Sequence, residues 1–546
     1  MRRLSVRAGA LVVALFGVHG AAVGAAAGAA AGAALITSEQ AYRELAQHGH
    51  LNAVRIDGGF DLARLQAPGG TERLTLSGVE ILGKLHASGA SPAVALLIDN
   101  STLHGIDLRD ARLRGGLAIE NSMVLTLARF DTAQLDGPFV LHATVFEQKA
   151  TFRRARFGSS VEIVDCRFDE PEGARGGISF ADARFAGPAS FNRSQFSSNV
   201  SFESSRFEGD ASFLGLEAPG RANFRNVAFA RDAEFRACRL GDVDFGDEQQ
   251  MSVFAGLADF RGCTMRSLRL DYVDARGDFM LVNVRVDPGD LAMRNAVLRG
   301  LRSDFSGLQV AGRLDMDGAH VTAPHFRWSE VVGPLQRSDA CRDSPPPTEG
   351  AARCSDVVRP LQRRLEFLKQ DDEAREASAM LADHVLRERL DRKDLTFTER
   401  VTLWFERIVW GWMTGYGTQL GRIGLLSLAT WLLLSVPIWL SPGLRLGRWA
   451  GASGDAPQRH RAAPSERLHP APATALDRAL QRLGFSFGLV FSTPGLMLRA
   501  AQPRRAGVEA YLFALRGVGA VLLALIGLTL ANTSPAIKAI VGSVVR

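Results

Sequence analysis

Tyrosine and cysteine are scarce in this chain, and their scarcity excludes several kinds of site. The 546 residues include 4 Tyr against 31 Phe, and the 5 Cys include no C-x-x-C pair of the kind that binds zinc or shuttles electrons. No phosphate-binding loop, H-E-x-x-H helix or EF-hand loop occurs in the sequence. We therefore identify no catalytic, cofactor-binding or metal-binding residue, and we expect a protein that is not an enzyme and needs no cofactor.

A large excess of one charge sign is also missing. Lys and Arg total 64 against 58 Asp and Glu, a net charge of +6, which is too small to indicate a nucleic-acid-binding protein. Hydrophobic residues make up 46% of the chain, so the composition is not that of a disordered protein. We expect no nucleic-acid partner.

The first 38 residues carry no acidic side chain, and after Arg7 they carry no charge before Glu39. A basic start with an apolar, small-residue stretch behind it is typical of a secretory signal. Three interpretations of residues 1–34 stay open: a signal peptide, which the pattern favours, an uncleaved signal anchor, and a flexible Ala/Gly leader. Under the first two interpretations, the chain beyond residue 34 is exported across the cytoplasmic membrane.

Two of the cysteines flank a Pro/Gly-rich segment. Cys341 and Cys354 bracket CRDSPPPTEGAARC, and in an oxidising compartment they would close a short disulfide loop. The alternative is two unrelated thiols. The other three cysteines, Cys166, Cys238 and Cys263, belong to a repeat.

The repeat has a period of eleven residues, built from alternating steps of five and six. A small side chain often stands two residues before an apolar anchor, as Ala155 does before Phe157 and Cys166 before Phe168. Large residues stacked along an axis with small residues beside them explain this pattern, and stability then comes from stacking neighbouring rungs. The predicted repeat core is Phe180, Phe185, Phe191, Phe196, Phe202, Phe207, Phe213, Phe224, Phe229 and Phe235.

The segment ISFADARFAGPASFNRSQFSSNVSFESSRF resembles pentapeptide-repeat proteins. The resemblance covers roughly residues 70–330 and implies a mainly β fold, a right-handed quadrilateral β-helix. We expect two eleven-residue repeats, about 22 residues, to form one rung. Some proteins of this kind imitate DNA with an acidic face, but here arginines alternate with the acids, so that role is not assigned.

The flanking regions complete the predicted domain organisation. Residues 35–69 are expected to cap the β-helix, 331–355 to form a linker and 356–400 to form an α-helical hairpin. Residues 401–546 are expected to form a transmembrane helical module. Its predicted spans are residues 423–440 and 512–531.

Between the spans, residues 483–498 form an apolar segment that is short for a crossing. A re-entrant or interfacial segment is favoured over a third short crossing. The region from Trp412 onward resembles the two-span module found behind pentapeptide repeats, which is related to two-helix ion channels. The matching pieces are GYGTQLGR, FSFGLVFSTPG and LANTSPAIK.

Selective potassium conduction is not favoured by the sequence. Where a potassium filter resembles T-V-G-Y-G, this chain has Ser492, Thr493, Pro494 and Gly495. Residues 441–505 are rich in arginine, so that loop is expected to stay cytoplasmic, whereas a channel's pore loop normally faces outward.

These observations predict a membrane-anchored envelope protein of the inner (cytoplasmic) membrane. Its exported β-helix would serve as a binding or scaffold surface for an unidentified envelope protein. The alternative is an oligomeric ion channel in which the β-helix serves as a sensing or assembly domain. The expected partners are the lipid membrane, that envelope protein and, as an open option, further copies of this chain.

Overall fold

The computed structural model describes residues 33–69, 71–89, 93–169, 177–246, 248–249, 251–342, 353–390, 395–408, 420–440, 445–446, 501–502 and 506–533. The chain divides into two compact units, the first ending at Glu373 and the second beginning at Ala374. The first unit is a long coil of short strands, and the second is helical. Each is described by itself.

The coil consists of three sheets in which every strand pairing is parallel. The largest sheet contains Ala34–Thr37, Val54–Asp57, Phe60–Asp61, Glu80–His86, Thr102–Asp107, Met123–Val124, Ala128–Arg129, Val145–Phe146, Ala150–Thr151, Arg167–Phe168, Ile178–Ser179, Gln195–Phe196, Val200–Ser201, Glu217–Asn223, Arg239–Asp244, Thr264–Arg269, Arg285–Val286, Leu291–Ala292, Gln309–Val310 and Leu314–Asp315. The second contains His50–Asn52, Arg73–Ser77, Ala95–Asp99, Leu117–Glu120, Phe139–His142, Val161–Val164, Ala189–Ser190, Ala211–Ser212, Ala233–Glu234, Ala258–Asp259 and Phe279–Met280. The third, called here the third sheet, contains Arg112–Leu113, Gln134–Leu135, Arg156–Phe157, Arg184–Phe185, Arg206–Phe207, Ala228–Phe229, Val253–Phe254, Asp274–Ala275, Val297–Leu298 and His320–Val321.

One rung of the coil contains four strands. Starting at Ile178–Ser179, the chain passes through Arg184–Phe185, Ala189–Ser190 and Gln195–Phe196, and then reaches Val200–Ser201, which pairs with the first strand. Residues on successive rungs are thus 22 apart, as in the hydrogen bond from the Arg221 amide to Asn199. The largest sheet covers two sides of each rung, because long strands such as Glu217–Asn223 turn one corner and pair on both sides.

The N-terminal end of the coil is closed by helix α1, Ser38–His48. Thr37 and Gln40 form a capping box at its start, and Gly49, with φ +73°, ends it. The buried ring of Tyr42 stacks on Phe60 at 5.0 Å and closes the core. Strand Ala34–Thr37 already pairs with Val54–Asp57, so parallel pairing begins within the segment 35–69 that the sequence predicts to be only a cap.

Helices close the C-terminal end of the first unit. Helix α2, Trp328–Gln336, overlaps the start of the predicted linker, and helix α3, Cys354–Phe367, follows. Val331 of α2 and Leu361 of α3 line one small cavity together with core residues of the last rungs, including Met316 and Phe326. The two helices therefore cover the apolar end of the coil.

The remaining helices begin at the boundary between the units. They are α4 at Asp371–Leu390, α5 at Phe397–Glu406, α6 at Leu420–Leu440 and α7 at Ala506–Thr533. Helices α6 and α7 contact each other, and a two-stranded antiparallel sheet joins Arg445–Leu446 to Ala501–Gln502. Helix α5 starts with a capping box between Thr396 and Glu399.

Candidate binding faces of the coil

The predicted repeat core lies on the axis of the coil. Each of its ten phenylalanines is at most 1% exposed. Phe180 stacks on Phe202 at 4.9 Å, and Phe202 stacks on Phe224 at 5.0 Å, with the ring planes within 6° of parallel. Rings within one rung meet edge to face, as Phe180 and Phe191 do at 5.3 Å. Stacking along the axis and edge-to-face contact across it are both favourable geometries for aromatic rings.

The columns fill all four sides of the rung. The other columns of stacked rings run Phe185–Phe207–Phe229, Phe191–Phe213–Phe235 and Phe146–Phe168–Phe196. In the last column Ala218 and Leu240 replace phenylalanine, and both are buried. Because the rings fill the axis, the surface that the coil offers for contact consists of its outer faces.

Two kinds of corner explain the alternation of five-residue and six-residue steps. Each five-residue step contains a β-turn, such as the one closed by the Ala183 amide, which donates to the Phe180 carbonyl at 3.0 Å. Its third residue has positive φ: Asp182 at +59°, Arg193 at +53° and Ser204 at +59°. The next residue along the chain is the small side chain noted in the sequence. The tighter turn therefore saves one residue at every second corner.

Cysteines and serines share the small slot behind these turns. The Ser205 hydroxyl donates to the Phe180 carbonyl at 2.6 Å, and the Cys238 thiol donates to the Phe213 carbonyl at 2.9 Å. Burial raises the pKa of the Cys166 thiol to about 12, and burial together with the neighbouring Cys263 raises the pKa of Cys238. Cys166, Cys238 and Cys263 are thus small buried core residues, and the raised pKa values of Cys166 and Cys238 leave those two thiols with little thiolate at neutral pH.

Several acids and amides at the corners connect successive rungs, a role that sequence reasoning missed. Asp131 accepts a hydrogen bond from the Arg153 amide at 2.9 Å, Asn199 from Arg221 at 2.8 Å and Asp232 from Leu257 at 2.8 Å. The sequence suggests only that such side chains decorate the surface. Each one satisfies a backbone donor at a corner of the next rung, within a five-residue step at Arg153 and within six-residue steps at Arg221 and Leu257.

Many charged side chains on the outer faces form ion pairs, either with a residue of a neighbouring rung or with a residue two positions away in the chain. The carboxylate of Asp244, which is 5% exposed, forms ion pairs with the guanidinium groups of Arg221 at 2.6 Å and Arg225 at 2.9 Å. The carboxylate of Asp259, which is 1% exposed, forms an ion pair with Arg261 at 2.6 Å. Held in this way, guanidinium and carboxylate groups make a rigid polar surface that can bind by charge and hydrogen bonding.

One acid of these faces, Asp271, is half-buried and lies 3.8 Å from Arg269. Burial raises the pKa of Asp271, whose carboxylate accepts the Arg294 amide at 2.8 Å. In contrast, the Arg109 guanidinium lowers the pKa of Asp107, which it binds through two nitrogens at 2.8 and 2.9 Å. Within the described residues, no group of three or more His, Cys, Asp or Glu side chains is arranged to hold a metal ion.

Cys341 and Cys354 are joined by a disulfide, with 4.6 Å between their Cα atoms. Both residues are buried, at 3% and 2% exposure. The bond fastens the segment after α2 to the start of α3. It therefore holds the two capping helices together at the end of the coil.

The predicted channel-like residues, Ser492, Thr493, Pro494 and Gly495, lie outside the described part of the chain, as do residues 483–498 as a whole and most of 1–34. The predicted spans fall on α6 and α7. Among the helices in the described ranges, none has both the length and the apolar character needed to cross a membrane. The predicted transmembrane module therefore has no support from the structure.

Comparison with known proteins agrees with the coil. Residues 175–215 match the family model described as pentapeptide repeats (9 copies). No curated protein and no solved structure matches the chain. The prediction of pentapeptide repeats that form a mainly β solenoid, followed by helices, is confirmed. Its right-handed sense stays a prediction from the resemblance.

Proposed function

We propose that this protein is a non-enzymatic scaffold whose exported coil offers its outer faces to a partner, while the second unit holds it against a lipid membrane. The proposal concerns contact with lipid and does not require a helix that crosses the membrane. Because phenylalanine columns fill the coil's axis, binding takes place on the outer faces.

A contrast in where the two units bury their apolar side chains carries the proposal. In the coil the large apolar residues fill the core and the outer faces are mostly polar. In α6 the pattern is inverted, with Leu425 and Leu433 70% and 73% exposed while Ser427 and Ser435 are 3% and 2% exposed. In α7, Phe513 is 81% exposed. A contiguous apolar surface of this kind is costly in water and favourable in lipid.

The amphipathic helix α5 carries a further exposed apolar face. On one side of α5, at helical spacing, lie Phe397, Val401 and Trp404, which are 82%, 51% and 54% exposed. Ile408, just beyond the end of the helix, is 44% exposed. Tryptophan and phenylalanine on one face of a helix with charged residues elsewhere are typical of helices that lie in the membrane interface.

Export of the coil is supported by its chemistry. A disulfide such as Cys341–Cys354 persists in oxidising compartments and is rare where thiols are kept reduced. The N-terminal sequence, basic and then apolar, is typical of a secretory signal and also favours an exported coil.

Liposome flotation of the full chain tests the lipid contact. We expect the wild-type protein to float with vesicles, and the double variant Leu425→Gln with Leu433→Gln to float less. The matched control is Leu35→Gln with Leu301→Gln, two leucines of the coil that are 60% and 74% exposed. Wild-type protein that stays at the bottom of the gradient, or equal loss in both double variants, would contradict the lipid contact.

A reporter enzyme that is active only after export tests the location of the coil. Fused after residue 340, it should be active in cells. An inactive fusion that is nevertheless present in full would place the coil in the cytoplasm and overturn the exported scaffold.

A further inference from the structure

One group of arginines on the coil combines close spacing with few ion pairs. The arginine patch consists of Arg153, Arg154, Arg156, Arg184 and Arg206 on three successive rungs. Arg156 lies directly beside Arg184, and Arg184 beside Arg206, in the third sheet. All five side chains are exposed. Neighbouring strands are about 4.8 Å apart, so the patch presents a row of guanidinium groups along the axis.

Ion pairing within the patch is sparser than at many other arginines of the coil. Arg184 approaches Glu208 at 3.9 Å, and the side chains of the other four form no ion pair with any residue in the described part of the chain. In comparison, Arg193 binds Asp165 at 2.7 Å and Arg239 binds Glu217 at 3.2 Å. Like charges directly opposite each other in a sheet are destabilising. An anion laid along the row would remove that repulsion.

The surroundings of the patch limit the kind of anion. The neighbours at the surface are small, polar or acidic. Gly158, Ala186 and Ser204 lie next to the arginine row, and the exposed acids Asp182 and Glu208 stand two residues from Arg184 and Arg206 in the chain. A protein partner normally needs a pocket or an apolar anchor at the centre of its interface. A single-stranded nucleic acid is normally held by aromatic side chains on which its bases stack. Neither feature lies among the described neighbours of this patch, so charge and hydrogen bonding alone would provide recognition.

We infer that the arginine patch binds a linear acidic polysaccharide that runs along the coil axis. Its carboxylates would pair with guanidinium groups on successive rungs, a geometry that arginine recognises through two parallel hydrogen bonds. The inference rests on the proposed function in one respect: an exported coil faces the compartment in which such polymers occur. It specifies the class of partner that would bind the scaffold's outer surface.

Binding of polygalacturonate to the detergent-solubilised full chain tests the inference. We expect saturable binding that weakens with added salt, because exposed charge pairs are screened. The triple variant Arg156→Gln, Arg184→Gln, Arg206→Gln should bind about tenfold more weakly, since three exposed charge pairs of ordinary strength together give that factor.

A second triple variant controls for net charge. Arg167→Gln, Arg239→Gln and Arg266→Gln remove the same charge from exposed arginines of the largest sheet, and each of these arginines has a carboxylate partner. This variant should bind polygalacturonate like the wild type, and thermal melting should show that both variants are folded.

Equal loss in the two triple variants would show that only net charge matters and would overturn the inference. So would tighter binding of poly-glutamate or of single-stranded DNA than of polygalacturonate. These measurements use no lipid, so their failure is distinguishable from failure of vesicle flotation, which concerns the second unit.

Discussion

Phe180 stacks on Phe202 with ring centroids 4.9 Å apart and ring planes 4° from parallel, although the two residues lie one full rung apart in the chain. Phe202 then stacks on Phe224 at 5.0 Å, so its ring has a neighbour on each side. Such rings bind successive rungs together, because a single rung has too little core to be stable alone.

Phe202→Ala should therefore lower the free energy of unfolding by about 3–5 kcal/mol, the range for large cavities in a packed core. Phe202→Leu should cost about 1.5 kcal/mol, since leucine fills the equivalent slot of the same column at Leu270, which is fully buried. Urea unfolding followed by circular dichroism measures both. Similar losses for the two variants would show that ring stacking, and not volume, dominates the column.

Ala237 occupies a corner with φ +56°, a conformation that disfavours any residue with a Cβ atom. Because Ala237 is exposed, Ala237→Gly removes this strain without losing core packing. We expect a gain of about 0.5–1 kcal/mol in the free energy of unfolding, the strain relieved less the extra entropy of the unfolded chain. Ala230→Gly, at an exposed position without positive φ, should instead destabilise the coil. If both variants lose stability, the left-handed corner is not strained.

The sequence was sufficient to predict the coil because its core repeats in register. Phenylalanines every eleven residues predict the columns, and their steps of five and six predict a rung of about 22 residues, as the pairing of Ile178 with Val200 shows. The turn behind the shorter step was not predictable, since Asp182, Arg193 and Ser204 share no residue type at its left-handed position. A glycine at every corner would have indicated positive φ, but these three residue types do not.

The outer faces were harder to predict than the core, because their contacts join residues of different rungs. Asp165 binds Arg193, 28 residues further on, where the segment EPEGARG adds six residues to the usual step of 22. If the assumed number of residues per rung is wrong, every predicted pair between rungs is assigned to the wrong residue. The sparse ion pairing of the arginine patch therefore became visible only in the structure.

A carboxylate placed in the arginine row should stabilise the coil. Gln134 lies directly between Arg112 and Arg156, so Gln134→Glu would pair with a cation on each side. We expect a gain of about 0.5 kcal/mol, typical of opposite charges across strands, and a smaller gain at high salt. Gln195 lies between Arg167 and Glu217, so in Gln195→Glu attraction and repulsion should cancel. Thermal melting at two salt concentrations compares them, and equal shifts would count against the cross-strand explanation.

The three free cysteines should be unreactive in the folded protein. With its pKa raised to about 12, Cys166 would carry about one thiolate in ten thousand molecules at pH 8, and its side chain is buried as well. A thiol reagent should label none of the three in native buffer and all three in denaturant. Rapid labelling of any one in the native state would indicate that its rung opens locally.

The disulfide between Cys341 and Cys354 should stabilise the capped end of the coil. It closes a loop with a sequence separation of 13, for which loop entropy predicts about 2–3 kcal/mol. The double variant Cys341→Ser with Cys354→Ser should unfold at lower urea in oxidising buffer. Reductant should lower the stability of the wild type to that of the variant and leave the variant unchanged. Cys166→Ser is the control, because the equivalent slot already holds Ser194, whose hydroxyl donates to the Ile163 carbonyl at 2.9 Å. Equal stability of wild type and double variant in oxidising buffer would mean that α2 and α3 hold the cap without the bond.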